Sequence, residues 1–393
     1  MGKQPLKKKG SKAFTEWMKN KGYASTKEMS NADKEMQWLV MPKGFSDALM
    51  LPGIPQNYVS LVVGHSNTGK STIINHAIVA AQKQGIIPVI YDTENNFDFT
   101  YAMDMGMDAT PVEEEVTETV YNPVTEQDET ITKTEVTRYE GNFIYFNNAK
   151  LAEKYGDRNY KTGKPEKKKR KVAVIEDVAT SINEILDSQD NGEIDCGFLF
   201  IWDSVGSLSS FKSYDSSANN AMWDANAISV AFSTIVNDRI PRSRKISSKY
   251  NNTFIAVNKV WMDSMSNPMP GAPPSLSLKG GNSLTYSARL ILLAGGKLKA
   301  SVKALTAETK GQKYTYATQT KISVLKNQLP NPYTLNYSGD IICTPYGIIP
   351  ATKEGLEKYR NEHAKDIIER LKEMTDAEIK ANDIEFSEEE EEI

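Results

Sequence analysis

The chain has 393 residues, of which 39% are hydrophobic and 25% charged, a composition that suits one large domain or two with a sizeable core. No apolar run approaches the roughly 18 residues of a membrane span, so we expect no membrane partner. Two cysteines, Cys196 and Cys343, are too few for a disulfide framework, and the basic N-terminus lacks the apolar stretch of a secretory signal. We therefore expect a protein of the reducing cytoplasm.

Negative charge is concentrated at the C-terminus. Residues 376–393 carry nine acids and one lysine, a charge of −8, whereas the whole chain carries −4, so the remainder is basic by about +4. A basic body with an acidic tail is typical of a protein that binds a polyanion for which the tail competes. A solvated terminus without a partner explains the tail equally well.

Residues 1–42 are predicted to form a small helical segment, because apolar residues recur at helical spacing in two stretches. These residues are Phe14, Trp17 and Met18, and then Met36, Trp38 and Leu39.

From about residue 43 the pattern changes to short apolar strands that alternate with helices, which predicts a mainly parallel sheet with helices on both faces. The strands are "YVSLVVG", "IIPVIYD", "FLFIWD", "TFIAVN" and "SARLILLA". This α/β core is expected to span residues 43–350 and to end with antiparallel edge strands, "TKISVLKNQ" and "YTLNYSGDIICTPYGII". Residues 351–393 would add one amphipathic helix, "TKEGLEKYRNEHAKDIIERLKEM", and the acidic tail.

Residues 110–172 interrupt the alternation as a surface elaboration. "EEEVTETVYNPVTEQDETITKTEVTRYEG" interleaves β-forming residues with charges around Asn122-Pro123, which predicts an exposed hairpin. The basic run "YKTGKPEKKKRKV" is similar to a nuclear localisation signal, but a flexible nucleic-acid contact or a solvated loop explains it better.

The stretch "GHSNTGKST" has the residue spacing of a phosphate-binding P-loop. It follows the strand "YVSLVV" and precedes "TIINHAIVAAQKQG", which has helical periodicity. Glycines let the backbone wrap closely around an anion, and the N–H groups of such a loop and of the following helix N-terminus bind phosphate. Lys70 would reach the β- and γ-phosphates of a nucleotide, and Ser71 would hold Mg²⁺. The residues expected to bind nucleotide here are Gly64, His65, Ser66, Asn67, Thr68, Gly69, Lys70, Ser71 and Thr72.

Two strand ends supply carboxylates. "VIYDTENN" puts Glu94 at the tip of the strand after the P-loop helix, where it could orient or deprotonate the water that attacks a γ-phosphate. "FLFIWDS" puts Asp203 at the end of a buried strand, as a Mg²⁺ site in a P-loop protein requires. A structural strand-end acid is the alternative interpretation of each.

A third strand, "TFIAVNK", ends in Asn258 and Lys259 and is followed by "VWMDSMSNPMPGAPPSLSLK", which holds four prolines. We expect this stretch to be mobile and poor in regular structure until Gly280 and Gly281 restart the fold. A polar strand end beside the γ-phosphate, followed by a mobile loop, can transmit nucleotide state to a distant ligand.

Taken in order, five stretches resemble the RecA/UvsX/RadA recombinase family, most closely its bacterial and phage members. They are "GHSNTGKST", "IYDTENNFDFTYAMDMGMD", "FLFIWDSVGSL", "GGNSLTYSARLIL" and "TKISVLKNQLPNPYTLNYSGDI". The resemblance covers roughly residues 43–350 and implies a RecA-type P-loop ATPase core that uses ATP and Mg²⁺. It further implies a DNA recombinase of the cell or phage-host cytoplasm that forms a helical filament on single-stranded DNA, exchanges strands with double-stranded DNA and works with mediator and single-strand-binding proteins.

Position by position, the resemblance implies that Glu94 is the catalytic carboxylate, that Lys70 and Asp203 serve ATP and Mg²⁺, and that Lys326 reaches the ATP of the neighbouring subunit. The N-terminal helix would dock on an adjacent protomer. Residues 207–225 and 260–279 match two DNA-binding loops. DNA contacts are expected from Phe211, Lys212, Tyr214, Trp261, Met262, Lys279, Gly280, Gly281 and Asn282.

Two positions depart from the family pattern. Lys259 stands where relatives carry a Gln or His that senses the γ-phosphate, and a lysine can contact phosphate only as a charged donor, not as an acceptor. Gln328 stands where bacterial relatives have a second inter-subunit lysine. Two alternatives therefore stay open: a ring-forming RecA-type helicase, which would need an arginine where "KISVLKNQ" offers a lysine, and an architectural protein that binds ATP and DNA but hydrolyses slowly.

Overall fold

The computed structural model describes residues 12–22, 33–122, 127–217, 220–263, 275–278, 283–297, 299–309, 312–375 and 385–386. Within these residues no helix is both long enough and apolar enough to cross a membrane. The helices are α1 (Lys12–Asn20), α2 (Lys43–Leu49), α3 (Lys70–Gln82), α4 (Phe99–Asp104), α5 (Asn148–Tyr155), α6 (Ile175–Asp190), α7 (Phe211–Asp215), α8 (Ala221–Ala231), α9 (Ile240–Arg242), α10 (Ser283–Ser287), α11 (Lys353–Glu362) and α12 (Ala364–Thr375), with a π-helical turn, Ile235–Arg239, before α9. The strands are β1 (Trp38–Val40), β2 (Gly53–Pro55), β3 (Val59–Gly64), β4 (Ile87–Asp92), β5 (Thr110–Asn122), β6 (Gln127–Glu140), β7 (Ile144–Asn147), β8 (Phe198–Asp203), β9 (Asn252–Asp263), β10 (Ser275–Leu278), β11 (Leu290–Ala294), β12 (Val302–Thr309), β13 (Gln312–Asn327), β14 (Ser338–Thr344), β15 (Gly347–Pro350) and β16 (Glu385–Phe386).

One large sheet organises the molecule, in the order β15-β14-β13-β11-β3-β9-β8-β4-β7. The strands from β11 to β7 in that order are parallel, and β13, β14 and β15 add an antiparallel edge. The predicted α/β class, with a mainly parallel sheet flanked by helices, is confirmed. Parallel pairing brings the carboxyl ends of β3, β4, β8 and β9 to one side of the sheet, where α/β proteins bind ligands.

The central strands read as continuous apolar runs because both faces of the sheet are covered. Val62 packs into the core on the α3 side, whereas its neighbour Val63 packs into the core on the α6 and α8 side. On that second side the rings of Trp202 and Phe232 stack with centroids 4.8 Å apart. Burial on both faces removes the polar alternation of a half-exposed strand.

The hairpin predicted within residues 110–172 is confirmed. β5 and β6 pair antiparallel as a separate two-stranded ribbon, and their described side chains are mostly exposed. At its base Tyr139 stacks on Phe99 with ring centroids 4.2 Å apart, which ties the ribbon to the body. The expected turn after Asn122 lies outside the described residues.

The prediction of a second N-terminal helix around Met36–Leu39 is wrong. α1 forms as predicted, but Trp38–Val40 is a strand that pairs antiparallel with Gly53–Pro55. Leu39 is fully buried, and a Cβ on Gly53 would lie 1.9 Å from the Leu39 carbonyl oxygen. A long-range partner that allows this close approach therefore overrides local helical periodicity.

The long amphipathic helix predicted for residues 352–374 is two helices, α11 and α12. The chain leaves helical geometry at His363, whose ring stacks on Tyr346 with centroids 4.1 Å apart. α12 packs against β12 and β13, and α11 packs against β15. A small apolar cluster that includes Leu356 and Leu371 joins the two helices to the sheet. β16 pairs with β12, and the acidic residues after it lie outside the described residues.

Candidate nucleotide-binding site

The predicted strand–loop–helix order around the P-loop is confirmed, since β3 ends at Gly64 and α3 begins at Lys70. A Cβ on Gly64 would lie 2.2 Å from the Ala294 carbonyl oxygen of the adjacent strand β11. Gly69 has a left-handed φ of +85°, and a Cβ there would lie 2.7 Å from Cys343 Sγ. Larger side chains would force this loop out of position, so both glycines are required by the fold.

Side chains of the loop are held by the loop's own carbonyl groups. Thr68 Oγ1 donates to the His65 carbonyl oxygen at 2.9 Å, and Lys70 Nζ donates to the carbonyl oxygens of Gly64, at 3.1 Å, and of His65. Burial lowers the pKa of Lys70, although the carboxylates of the site act in the opposite sense. Thr72 is buried in α3 rather than at the cleft surface.

A cleft of about 400 Å³ opens at the carboxyl ends of β3, β4, β8 and β9. It is lined by Ser66, Asn67, Lys70, Ser71, Ile74, Asn75, Ile90, Asp92, Glu94, Asn96, Phe97, Asp98, Tyr101, Ile201, Asp203, Ser204, Val257 and Lys259. Four separate motifs of the sequence therefore converge on one concave site. Such a site, at the N-terminus of a helix and lined by a lysine, a hydroxyl and carboxylates, suits a nucleotide phosphate with its metal ion.

Glu94 is held in the cleft by two side chains, one on β9 and one directly after β8. It accepts hydrogen bonds from Ser204 Oγ and, at 2.9 Å, from Lys259 Nζ. Burial alone would raise the pKa of Glu94, but the hydrogen bonds from Ser204 and Lys259 hold it below its ordinary value. Glu94 is thus ionised at neutral pH, with one oxygen committed to a cation and the other to a hydroxyl.

Asp203 lies at the end of β8, opposite Asp92 at the end of β4. Burial and the neighbouring carboxylates Glu94 and Asp92 raise the pKa of Asp203 to about 6, while Lys70 and Lys259 act against that shift. A bound cation would stabilise the ionised form of a buried carboxylate that lies among other carboxylates. Ser71 lines the same cleft. One carboxylate, one hydroxyl and phosphate oxygens are a ligand set that suits Mg²⁺.

Three site residues were missed by sequence reasoning. Asp92 accepts hydrogen bonds from the backbone N–H groups of Asn96 and Phe97, at 3.0 and 2.9 Å, and so fixes the turn that carries Glu94. Ser204 holds Glu94 itself, as described above. Tyr101 bonds with its hydroxyl to Thr72 Oγ1 at 2.8 Å. The only signal for Ser204 was its position directly after the strand-end Asp203.

The prediction that Lys259 ends a strand is wrong. β9 continues to Asp263, and Val260–Asp263 pair antiparallel with β10, so part of the stretch expected to lack regular structure is a β-ribbon. Lys259 lies opposite Gly64 on the neighbouring strand, and its side chain reaches Glu94. Trp261 and Met262 belong to the ribbon, whereas Lys279, Gly280, Gly281 and Asn282 lie outside the described residues.

The expected first DNA-binding loop is partly helical, because it holds α7 and the start of α8. Phe211 is only 4% exposed, so its assignment as a surface DNA contact is wrong in this conformation. It is buried because its ring packs against Tyr160 and the Arg170 guanidinium. Lys212 and Tyr214 are exposed on α7, and Lys212 Nζ lies 4.4 Å from the centre of the Trp223 ring.

Lys326 is not brought into the cleft of its own chain. It lies on β13, opposite Ile291, and Nζ donates to the carbonyl oxygens of Thr285 and Tyr286 at 2.8 and 2.9 Å. Ile291 pairs with Leu61, near the amino end of β3, whereas the P-loop leaves the carboxyl end of that strand.

Comparison with known proteins shows which family the first part of the chain is similar to. A family model of the RecA N-terminal domain matches residues 11–118, which include the P-loop and Glu94. The RecA protein of Chlorobaculum tepidum is 43% identical over 61 residues, which is 16% of this chain and 18% of that protein. This part of the chain is therefore similar to the RecA recombinase family.

Longer RecA matches have lower identity. The RecA protein of Roseiflexus castenholzii is 32% identical over 112 residues, or 28% of this chain and 32% of that protein. The RecA protein of Bacteroides thetaiotaomicron is 37% identical over 93 residues, or 23% of this chain and 28% of that protein. These matches span about a fifth to a third of the curated relatives' length. The RecA family model ends before Asp203 and Lys259. These two residues lie on β8 and β9, and the pairing of those strands with β4 and β3 brings them to the cleft.

Proposed function

We propose that this chain is an ATP-dependent, RecA-type DNA recombinase that forms a helical filament on single-stranded DNA and promotes homologous pairing and strand exchange. The observation that carries the proposal is the meeting of Lys70, Ser71, Glu94 and Asp203 in one cleft. The match to the RecA N-terminal domain supports the recombinase role over other P-loop functions.

Within this proposal each cleft residue has a distinct task. A bound Mg²⁺ would neutralise negative charge on the phosphates. Ser71 and Asp203 would hold it, and Lys70 would leave the loop carbonyls to contact the phosphates. Glu94 would orient and deprotonate the attacking water, since its carboxylate is ionised and fixed by Ser204.

Lys259 would link the nucleotide to DNA. Its backbone lies beside Gly64, its ammonium group contacts Glu94, and the β9–β10 ribbon begins at the next residue. A γ-phosphate would compete with Glu94 for the ammonium group and so change the position of β9. The ribbon and the segment beyond it would pass that change to DNA.

The placement of Lys326 supports a filament. This lysine lies away from the cleft of its own chain, so we assign it to the ATP of a neighbouring subunit. Residues 1–42 would dock on that neighbour, residues 43–350 would form the ATPase core, and residues 351–393 would cover its antiparallel edge. DNA, mediator proteins and single-strand-binding proteins are the partners of such a filament.

Slow hydrolysis by an architectural DNA-binding protein is a second candidate, and the Lys259–Glu94 ion pair favours it. A carboxylate that holds an ammonium group 2.9 Å away is a weaker base than a free one. Lys259→Gln would then raise the turnover number, whereas a recombinase that uses Lys259 as its sensor would lose DNA-stimulated turnover.

Negative-stain microscopy with single-stranded DNA and a slowly hydrolysed ATP analogue tests the assembly. A filament is expected, a ring would favour the helicase alternative, and no assembly would overturn the proposal. Lys70→Ala should abolish ATP turnover in a folded protein, because it removes the charge that stabilises the transferring phosphoryl group. Lys83→Ala, on the exposed end of the same helical segment, is the matched control, and equal turnover in both variants would refute the P-loop assignment.

A further inference from the structure

A basic loop, residues 157–171, lies outside every motif that the proposed function uses. It contains eight basic and two acidic residues. Six of its lysines are exposed and none forms a salt bridge with a carboxylate in the described part of the chain. They are Lys161, Lys164, Lys167, Lys168, Lys169 and Lys171. A concentration of unpaired cations on one loop raises the local concentration of a polyanion.

The basic loop is ordered by its own hydrogen bonds. Asn159 Oδ1 accepts from the N–H groups of Lys161 and Thr162 at 2.9 Å, and Asn159 Nδ2 donates to Glu166 at 2.7 Å. Arg158 and Pro165 form an isolated antiparallel bridge across the loop. Its lysines are thus displayed on a fixed backbone, so binding a ligand there would not require the backbone to be ordered first.

Arg170 anchors the end of the basic loop. Its guanidinium group forms a bidentate ion pair with Asp177, with nitrogen–oxygen distances of 2.9 and 3.0 Å, and the two side chains are 1% and 0% exposed. It also donates to the carbonyl oxygen of Tyr155 at 2.9 Å. Leaving either charge without its partner in the interior would be strongly unfavourable, so this anchor is fixed.

The same guanidinium group connects the basic loop to α7. It lies 5.5 Å from the centre of the Phe211 ring and 5.9 Å from that of Tyr214. Tyr214 is 43% exposed, and Lys212 on the same helix is exposed. An aromatic ring and a lysine beside a row of cations form the combination that binds single-stranded nucleic acid, with bases stacked on the ring and phosphates on the lysines.

From this arrangement we infer that the basic loop is a DNA-binding site, which contacts the phosphates of the single strand held by α7. The inference rests on the proposed DNA binding of this chain. Buried Phe211 holds the loop and α7 together, while Tyr214 and the lysines contact the strand. The contact is electrostatic and independent of base sequence.

The test is a salt titration of the affinity for a fluorescent oligothymidylate in the presence of a slowly hydrolysed ATP analogue. The variant carries Lys164→Ala, Lys167→Ala and Lys168→Ala, and the control carries Lys43→Ala, Lys353→Ala and Lys358→Ala, which remove the same charge from another surface. Each lost phosphate contact should reduce the slope of log affinity against log salt by about 0.7, so the variant should lose about 2. The ratio of wild-type to variant DNA affinity should then fall about 16-fold over a fourfold rise in salt concentration.

A second measurement locates the strand directly. Lys168→Cys, labelled with a photoactivated crosslinker, should crosslink to the oligonucleotide, and Lys358→Cys should not. Unfolding temperatures equal to that of the wild type would show that the variants fold. A wild-type protein that binds no DNA would overturn both the proposed function and this inference. DNA binding by the wild type with equal slopes for variant and control, or with no crosslink at position 168, would overturn the inference alone.

Discussion

His76 should make the stability of this protein depend on pH, because it must stay neutral to accept a hydrogen bond from the edge strand β15. His76 lies on α3, directly behind the P-loop, and its Nε2 accepts a hydrogen bond from the backbone N–H of Ile348 at 2.9 Å. The contact is close, since a Cβ on Gly347 would lie 2.5 Å from that nitrogen. Burial and the charge of Lys83 lower the pKa of His76 from its ordinary value of 6.5 to about 4.

The sign follows from the lowered pKa in the folded state. At a pH above 6.5 the ring is neutral in both states and the full stability is present. As the pH falls toward about 4, the unfolded chain takes up the proton first, so the free energy of unfolding decreases. With these pKa values the loss contributed by His76 is about 2 kcal/mol at about pH 5 and about 3 kcal/mol below both pKa values.

Denaturant unfolding of wild type and His76→Gln at about pH 7.5 and pH 5 measures this loss. Glutamine keeps an acceptor for Ile348 but does not titrate, so the variant should lose about 2 kcal/mol less than the wild type on acidification. Asp203, whose pKa is raised to about 6, acts in the opposite sense, and the comparison of the two proteins cancels its effect. Equal losses in both proteins would refute the assignment of a buried neutral His76.

Further predictions concern the nucleotide and DNA. Glu94→Gln should keep ATP affinity and lose hydrolysis by at least about a hundredfold, measured by nucleotide titration and phosphate release, because the water-activating charge is gone while the P-loop is intact; a collapse of nucleotide affinity would make Glu94 structural. Lys259→Ala should shrink the ratio of DNA affinities with ATP analogue and with ADP, a coupling of typically about 1–3 kcal/mol; an unchanged ratio would remove Lys259 as the sensor. Deleting residues 387–393 keeps Phe386, which packs 5.8 Å from the Tyr316 ring, and should tighten DNA binding most at low salt; equal affinity throughout a salt titration would leave the acidic tail without a role in DNA binding.

Local features of the sequence were sufficient to predict the P-loop and the strands of the sheet next to it. The glycines at positions 64 and 69, with Lys70 and Ser71 at fixed spacing, predicted the loop, and apolar runs on both sides of it predicted the parallel sheet. These signals are readable because they depend on chain geometry over a few residues. The same reasoning placed Glu94 and Asp203 at strand ends, and parallel pairing then carried both to one edge.

Tertiary structure alone decided the features that depend on distant partners. Trp38 is part of a strand because Gly53 allows the backbone of that strand to approach closely. Phe211 is buried because its ring packs against the Arg170 guanidinium group. The hydrogen bond between Lys259 and Glu94 joins positions 165 residues apart. No periodicity or spacing encodes such a contact, because which side chains meet is set by the order and register of strands, and these are fixed only when the whole sheet has formed.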